Sequence, residues 1–181
     1  MKVMESVACK QTLETTGERG QALLELMPVM VLLLTLTCAV LDFSRALWQV
    51  QVITGLTREG SNLASRNTSL ADSTTAVVND GAVLKLTTAT NGKVIITSVQ
   101  NVNGNFVITG QYSVGNLSAN SRVGMFSGNK KATLPATATT IPQPGDTVYV
   151  TEIFSSFSPI TPLGTFVKNA IPLTLYDVAY F

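Results

Sequence analysis

The sequence predicts an α+β protein, in which a long N-terminal transmembrane helix leads into a small antiparallel β-sheet domain with one short packed helix. Three observations predict this architecture. Residues 23–41 are almost wholly apolar, residues 93–102 and 105–114 are rich in β-branched side chains, and Asn103 and Gly104 between these segments favour a tight hairpin. Only 13% of the 181 residues are charged, about half the usual share in a soluble domain. We therefore expect part of the chain to lie outside water.

The apolar run at residues 23–41 has the length of a membrane span. It contains one charged residue, Glu25, and one proline, Pro28. A helix of this length spans roughly 28 Å at about 1.5 Å per residue, which is close to the hydrocarbon thickness of a bilayer. Lysine and arginine are balanced on its two sides, so charge alone does not predict the orientation.

Three parts follow from this run. We expect a polar leader over residues 1–20, a transmembrane and extended helix over residues 21–66, and an extracytoplasmic α+β domain over residues 67–181. The leader lacks an apolar core before a small-residue cleavage site, so it is unlike an ordinary secretory signal peptide. We expect the domain of residues 67–181 to fold without the helix.

Glu25 is the residue in the run that calls for a function. A carboxylate inside a membrane helix costs roughly 2.5–3.5 kcal/mol on insertion scales, so such a residue usually has a partner and a purpose. Cleavage after Gly20 would make Gln21 the new N-terminus and Glu25 the fifth residue. The free amine of one subunit and the carboxylate of a neighbour would then neutralise each other. Glu25 is therefore a candidate for a contact between subunits.

These residues resemble a known pattern. Gly20, four residues and Glu25 at the start of an apolar stretch are similar to the prepilin-peptidase site of type IV-like pilins. This resemblance implies that Gly20 and Gln21 are the processing site and that Glu25 is the assembly residue. Arg19 before that glycine, the Asp-Phe-Ser-Arg-Ala-Leu segment that begins at Asp42, and the Arg-Glu-Gly turn that begins at Arg58 resemble the TadE-like family of the tight-adherence (Tad/Flp) pilus system. The close resemblance covers residues 19–66.

The resemblance implies a minor pilin, or pseudopilin, that takes part in assembling a Tad-type pilus. It implies a single-pass protein of the bacterial inner membrane, with a cytoplasmic N-terminus and a periplasmic or extracellular domain, that is incorporated into a pilus or its initiation complex. The implied partners are the prepilin peptidase, other pilins or pseudopilins, the inner-membrane assembly platform and the membrane itself. Leu26 stands where major Flp pilins carry an aromatic residue, and the outer domain is larger than theirs, which favours a minor over a major subunit.

Beyond the bilayer the helix pattern continues. Phe43, Leu47 and Val50 follow helical spacing and predict the packed face, which continues at Thr54 and Thr57. Asp42 and Arg45 are three residues apart on a different face. We interpret them as a solvated boundary pair worth well under about 1 kcal/mol, and the alternative is a contact between subunits.

The outer domain is expected to begin with a short helix over residues 71–86. Its predicted N-cap is Asp72 or Ser73, and its predicted core residues are listed here: Ala76, Val77, Val83 and Leu84. Strands follow at residues 93–102, 105–114, 146–157 and 173–179. In the second strand, Phe106, Ile108 and Gly110 are expected to alternate with Val107, Thr109 and Gln111.

The long segment 115–145 between the second and third strands has few large apolar residues, so we expect a functional or disordered loop. Lys130 and Lys131 in it are interpreted as residues that keep the loop solvated, with a partner contact as the alternative. Asp146 and Glu152 would stand about 20 Å apart on one strand, too far for joint acid–base chemistry.

The composition excludes several classes of site. The chain contains no histidine, so Ser-His-Asp hydrolases and histidine-ligated metal centres are excluded. The two cysteines, Cys9 and Cys38, both lie in the N-terminal third, and Cys38 is interpreted as a small hydrophobe in the span. A net charge of +1 gives no reason to expect nucleic acid. We expect no enzyme, no cofactor and no metal.

Three other functions remain open at this stage. A pseudopilin of a type II-like secretion system would share the spacing of Gly20 and Glu25. A membrane-tethered module that binds a sugar or a peptide would use the helix only as an anchor, which leaves Glu25 unexplained. A tethered enzyme is disfavoured by the absence of histidine and of an acidic cluster.

Overall fold

A computed structural model describes residues 2–87, 91–134, 142–162, 164 and 173–181, with side chains from Gly20 onward except that of Ala22. The side chain of Cys9 and residues 135–141 of the predicted loop lie outside this description. Helix α1 runs over Lys2–Ser65 and helix α2 over Leu70–Asp80, followed by a short 3-10 turn at Ala82–Leu84. The strands are β1 (Gly92–Val102), β2 (Asn105–Val114), β3 (Thr147–Ser156) and β4 (Thr174–Tyr180). The predicted α+β class is confirmed.

Helix α1 starts earlier than the sequence suggested, at Lys2, and passes through Pro28. It ends at Ser65, before Asn67 takes a left-handed conformation with φ 64°. An asparagine tolerates this conformation better than most residues do, so it is suited to stop a helix. The end therefore falls where the sequence predicted it.

Helix α2 begins at Leu70, and its N-cap is Ser69, three residues before Asp72 and four before Ser73. The Ser69 hydroxyl accepts a hydrogen bond from the Asp72 amide at 3.1 Å, so the predicted caps Asp72 and Ser73 are wrong. The helix also ends sooner, at Asp80 before Gly81. Val77 is buried as expected, whereas Val83 is 68% exposed because it lies in the following 3-10 turn.

The four strands form one antiparallel sheet in the order β2-β1-β3-β4 within the described residues. Asn103 and Gly104 have φ values of 52° and 86°, as a type I′ hairpin requires, and the Gly104 amide donates to Asn101 Oδ1 at 2.8 Å. Strand β3 pairs with β1 from Gly92↔Ser155 to Gln100↔Thr147. The hairpin therefore lies at one end of the sheet, and Ser155 lies at the opposite end.

The predicted alternation in β2 is interrupted by a β-bulge. Ser98 pairs with Gly110 but Val99 pairs with Ile108, so Thr109 is an extra residue in β2. The bulge moves Gly110 to the opposite face from Ile108. The prediction that Gly110 shares one face with Phe106 and Ile108 is therefore wrong.

The two faces of the sheet have different covers. Helices α1 and α2 cover one face, around a core that includes Ile53, Val77, Ile96 and Ile153. Residues 115–134, here called the strap, cover the other face, where Val123 and Ala132 pack against Val99, Ile108 and Val150. The described part of the predicted loop is therefore a packed layer on the sheet.

Candidate assembly and processing site

The candidate processing site lies on an exposed part of helix α1. Gly20 and Gln21 are both exposed, and a Cβ added to Gly20 would meet no atom within 4 Å. A protein that acts on this position would meet no steric obstruction from the described part of the chain.

The Glu25 carboxylate is exposed one helical turn beyond Gln21. Gln21 Nε2 donates a hydrogen bond to Glu25 Oε1 at 3.3 Å, so both side chains lie on the same side of the helix. The structure thereby brings two of the predicted site residues together. The contact is a long hydrogen bond from a neutral amide, which leaves most of the acceptor capacity of the carboxylate free for a cation.

The apolar half of α1, defined as residues 20–41, is not covered by any other part of the chain that the structure describes. Its large side chains are exposed, and a stretch of the helix Leu23–Ser65 has a mean hydropathy of 2.3 with none of that stretch buried. The hydroxyls of Thr35 and Thr37 donate to the carbonyls of Leu32 and Leu33, each at 2.8 Å. Because these hydroxyls are satisfied internally, the part of the segment after Glu25, residues 26–41, presents an apolar surface in all directions, which suits a bilayer.

The domain half of α1, defined as residues 42–65, is packed along one side. Its buried residues lie on one side of the helix, at spacings of three, four or seven residues with two adjacent pairs, and they are Asp42, Ala46, Ile53, Leu56, Thr57, Gly60, Ser61 and Ala64. Phe43, Leu47 and Val50, predicted to form the packed face, are exposed instead. That part of the prediction is wrong, because the sheet supplies hydrogen-bond partners that make a more polar face the better one to bury.

Three polar side chains of the domain half reach the sheet. Gln49 Nε2 donates to Ser155 Oγ at 2.7 Å, and Thr57 Oγ1 donates to Asp177 Oδ2 at 2.7 Å. Ser61 Oγ donates to the carbonyl of Ala179 at 2.8 Å. These contacts fix the helix on β3 and β4 by directional bonds as well as by apolar packing.

Asp42 is buried and holds the loop that follows β3. Its Oδ1 accepts a hydrogen bond from the Ile160 amide at 3.0 Å, and its Oδ2 accepts one from the Thr161 hydroxyl. Asp42 is therefore no solvated surface residue, and the interpretation of a solvated pair with Arg45 is wrong. The carboxylate was missed because both of its partners lie more than 100 residues away in the chain.

Arg45 is exposed and lines a cleft of about 200 Å³ at the same end of the domain. Trp48 and Gln49 from α1, Val83 and Leu84 from the 3-10 turn, and Asn91, Ser156 and Ser158 complete its lining. The structure thus separates the two predicted contact residues: Asp42 serves its own chain, whereas Arg45 is available at the surface.

Glu152 is a buried carboxylate that the sequence did not single out as a structural residue. It accepts hydrogen bonds from the Ser121 hydroxyl, from the Arg122 amide at 2.8 Å and from the Tyr176 hydroxyl at 3.0 Å. Burial and the adjacent Glu152 carboxylate raise the pKa of Tyr176 above its usual range. Glu152 therefore holds the strap on the sheet.

Asp146 is exposed directly before β3, and its carboxylate accepts a hydrogen bond from the Gln143 amide at 3.1 Å, whereas Glu152 is buried within β3. Lys130 and Lys131 are both exposed, and the Lys130 ammonium lies 4.6 Å from the centre of the Phe126 ring. Over the described residues, no three Cys, Asp or Glu side chains come together as a metal site.

Part of helix α1 is similar to a known protein family. Residues 20–62 match the family model described as "TadE-like protein". No curated protein and no solved structure matches the chain. The matched segment begins at Gly20 and includes Glu25, Asp42 and Arg45, so the resemblance found in the sequence is confirmed, and the chain carries the TadE-like segment on helix α1.

Proposed function

We propose that this protein is a membrane-anchored minor pilin, or pseudopilin, that takes part in assembling a Tad/Flp-type pilus. In this proposal it crosses the bacterial inner membrane once, with the N-terminus in the cytoplasm and the sheet domain on the opposite side. A prepilin peptidase removes residues 1–20. Other pilins or pseudopilins and the assembly platform of the inner membrane are its partners.

One observation carries the proposal: the TadE-like match begins at the exposed apolar half of α1, which bears the sequence features of a pilin, and continues into the packed domain half of the same helix. The match begins at Gly20, and it covers the apolar half of α1, which the other described residues leave exposed. An apolar surface of this length needs a bilayer or neighbouring helices around it. The same match favours a Tad-type system over a type II-like one.

Glu25 would guide assembly by its charge. After cleavage, the amine of Gln21 becomes a cation close to the exposed carboxylate of Glu25, whose only described hydrogen bond is the one from the Gln21 amide. In hydrocarbon an unpaired charge is unfavourable, so a subunit gains stability when its carboxylate meets the amine of a neighbour. The pair would therefore favour a defined axial offset between adjacent helices.

Cleavage is tested by co-expressing the full chain with the prepilin peptidase of its host and measuring the intact mass. We expect the loss of residues 1–20, and we expect Gly20→Val to abolish it. Gly55→Val is the matched control, because Gly55 also lies exposed in α1. A mature chain that keeps its first 20 residues would contradict the proposal.

The role of Glu25 is tested separately with Glu25→Leu. We expect membrane insertion to be retained, because a charge is removed from the apolar segment, whereas incorporation into pili or into an initiation complex should fall. Glu59→Leu is the control, since Glu59 is exposed in the domain half of the same helix. Normal piliation with Glu25→Leu would exclude the assembly role. The proposal also implies a domain without catalytic turnover.

A further inference from the structure

The loop 157–162 lies at the same level along α1 as the end of the apolar half. The hydrogen bond from the Ile160 amide to Asp42 places the backbone of Ile160 beside the first residue after the apolar run. The neighbouring bond from the Thr161 hydroxyl to the same carboxylate fixes the loop at a second point. Asp42 is buried beneath this contact, so the loop is held close against the helix.

The height of Ile160 above the hydrocarbon follows from helix geometry. Asp42 is one residue beyond the apolar run, which corresponds to about 1.5 Å along the axis. The headgroup layer on each side of a bilayer is about 5–7 Å thick, if the total thickness is about 40–45 Å and the hydrocarbon core about 30 Å. If residues 23–41 span the membrane, Ile160 therefore lies inside the headgroup layer.

The chemistry of the loop suits that position. Residues 157–162 carry no charged side chain, and Ile160 is 72% exposed although it is aliphatic. At nearly the same level on the helix, Phe43 is 54% exposed. Ile160 and Phe43 thus extend the exposed apolar surface of the apolar half to the level of Asp42. The exposed Arg45 follows within about one helical turn, so the apolar surface ends close to this level.

We propose that the loop 157–162 is a second membrane contact, in which Ile160 inserts into the headgroup layer of the lipid bilayer beside helix α1. This inference rests on the proposed function, since it requires that α1 spans the membrane. Asp42 is the positioning residue that holds the loop at this depth. The sheet domain then rests on the membrane surface and does not stand away from it on the helix.

The far end of the sheet provides a matched reference position. Val102, at the end of β1 next to the hairpin, is also an exposed aliphatic residue. Strand β1 starts at Gly92, which pairs with Ser155 near the loop, and it extends ten residues further to Val102. At about 3.3 Å per residue, Val102 lies roughly 33 Å farther along the sheet than Gly92.

The test uses the full-length chain in vesicles of phosphatidylethanolamine and phosphatidylglycerol at low protein density. Environment-sensitive fluorophores are attached to single cysteines: the native Cys38 in the span, Ile160→Cys in the loop, and Val102→Cys at the far end. The other native cysteines are replaced by serine in each variant. Lipids that carry a spin label near the headgroup report contact with the interface, and aqueous iodide reports exposure to water.

We expect the probe at Ile160→Cys to be quenched by the shallow spin label and shielded from iodide, whereas the probe at Val102→Cys shows the reverse. Asp42→Ala should reduce the lipid quenching at Ile160→Cys and leave that at Cys38 unchanged. A probe at Ile160→Cys that behaves like the one at Val102→Cys overturns the inference alone. Shielding from both quenchers indicates a protein neighbour and also overturns it. A probe at Cys38 that escapes all lipid quenchers overturns the proposed membrane span as well.

Discussion

The apolar half and the domain half of α1 belong to one continuous helix but meet their surroundings in opposite ways. In the apolar half, large side chains are exposed on every side, and the polar groups of Thr35 and Thr37 bond only to carbonyls of their own helix. In the domain half, one stripe is buried, and Thr57 and Ser61 bond to the sheet. The apolar half is suited to contact with a lipid bilayer or with other subunits, whereas the domain half is part of the folded domain.

This difference predicts where the chain can be cut without loss of the fold. The domain half contributes Ala46, Ile53, Leu56 and Ala64 to the core that also contains Val94, Ile96 and Ile153. Burial of each large apolar side chain contributes about 1.5–3 kcal/mol, and a typical domain has a free energy of unfolding of only about 5–15 kcal/mol.

We therefore expect the fragment 42–181 to fold and the fragment 67–181, which the sequence suggested as an independent domain, to lose cooperative unfolding. Near-ultraviolet circular dichroism and urea titration of both fragments measure this. A cooperative transition in the fragment 67–181 would show that the domain half of α1 is dispensable.

Single truncations of apolar side chains should separate the two halves next. Ile53→Ala leaves a cavity against the sheet and should lower the free energy of unfolding by about 2–5 kcal/mol. Leu34→Ala is the matched control, because Leu34 is exposed and touches no part of the domain core, so its effect on domain unfolding should be below about 0.5 kcal/mol. Urea unfolding of the full chain in detergent micelles, followed by the fluorescence of its one tryptophan, provides the comparison. Equal losses in the two variants would contradict the division.

Removing a hydroxyl group should also change the free energy of unfolding differently in the two halves of α1, but by a smaller amount. Thr57→Val removes the donor to the Asp177 carboxylate, and hydrogen bonds to charged groups contribute about 1.5–3 kcal/mol. Thr35→Val removes only a bond to the carbonyl of Leu32 in the same helix and should leave domain unfolding unchanged. A double-mutant cycle with Asp177→Ala, which removes the acceptor, tests the coupling. Full additivity of the two substitutions would show that the contact contributes no stability.

The smallest expected effect comes from the two glycines of the domain half. A Cβ at Gly60 would lie 2.9 Å from side-chain atoms of Thr151 and Val77, whereas a Cβ at Gly55 would meet nothing within 4 Å. Gly55→Ala should therefore raise the free energy of unfolding by about 0.5–1 kcal/mol through helix propensity.

Gly60→Ala should lower the free energy of unfolding by about 1 kcal/mol, because overpacking of about 1–3 kcal/mol exceeds that gain. Thermal unfolding of both variants measures the two signs. A stabilising Gly60→Ala would show that the helix is free to move away from β3.

The features that sequence reasoning predicted well depend on local interactions. The hairpin at Asn103 and Gly104 follows from backbone conformations that only a few residues tolerate, and the apolar half follows from side-chain type alone. The spacing of Gly20 and Glu25 likewise required no knowledge of the fold, and the family match covers both residues.

The features that were missed depend on contacts between distant parts of the chain. The local sequence predicts that Asp42 is a surface residue, because its partners Ile160 and Thr161 are distant in the chain. Glu152 is buried in a strand because the strap supplies an amide and a hydroxyl to it. The bulge at Thr109 changes the face of Gly110, and the glycine inside the strand was the local signal for it that the simple alternation pattern ignored. For Asp42 and Glu152, burial is decided by partners that periodicity does not reveal.

The continuity of α1 gives the molecule a mechanical property. The segment Leu23–Ser65 is 43 residues long and forms part of one helix, so it makes a rod of about 64 Å with no joint between the span and the sheet. The hydrogen bonds from Gln49, Thr57 and Ser61 clamp this rod to β3 and β4 over more than three turns. A torque or an axial pull applied to the helix inside the bilayer is therefore transmitted to the whole domain. The helix and the domain rotate and move along the helix axis together, as one rigid body.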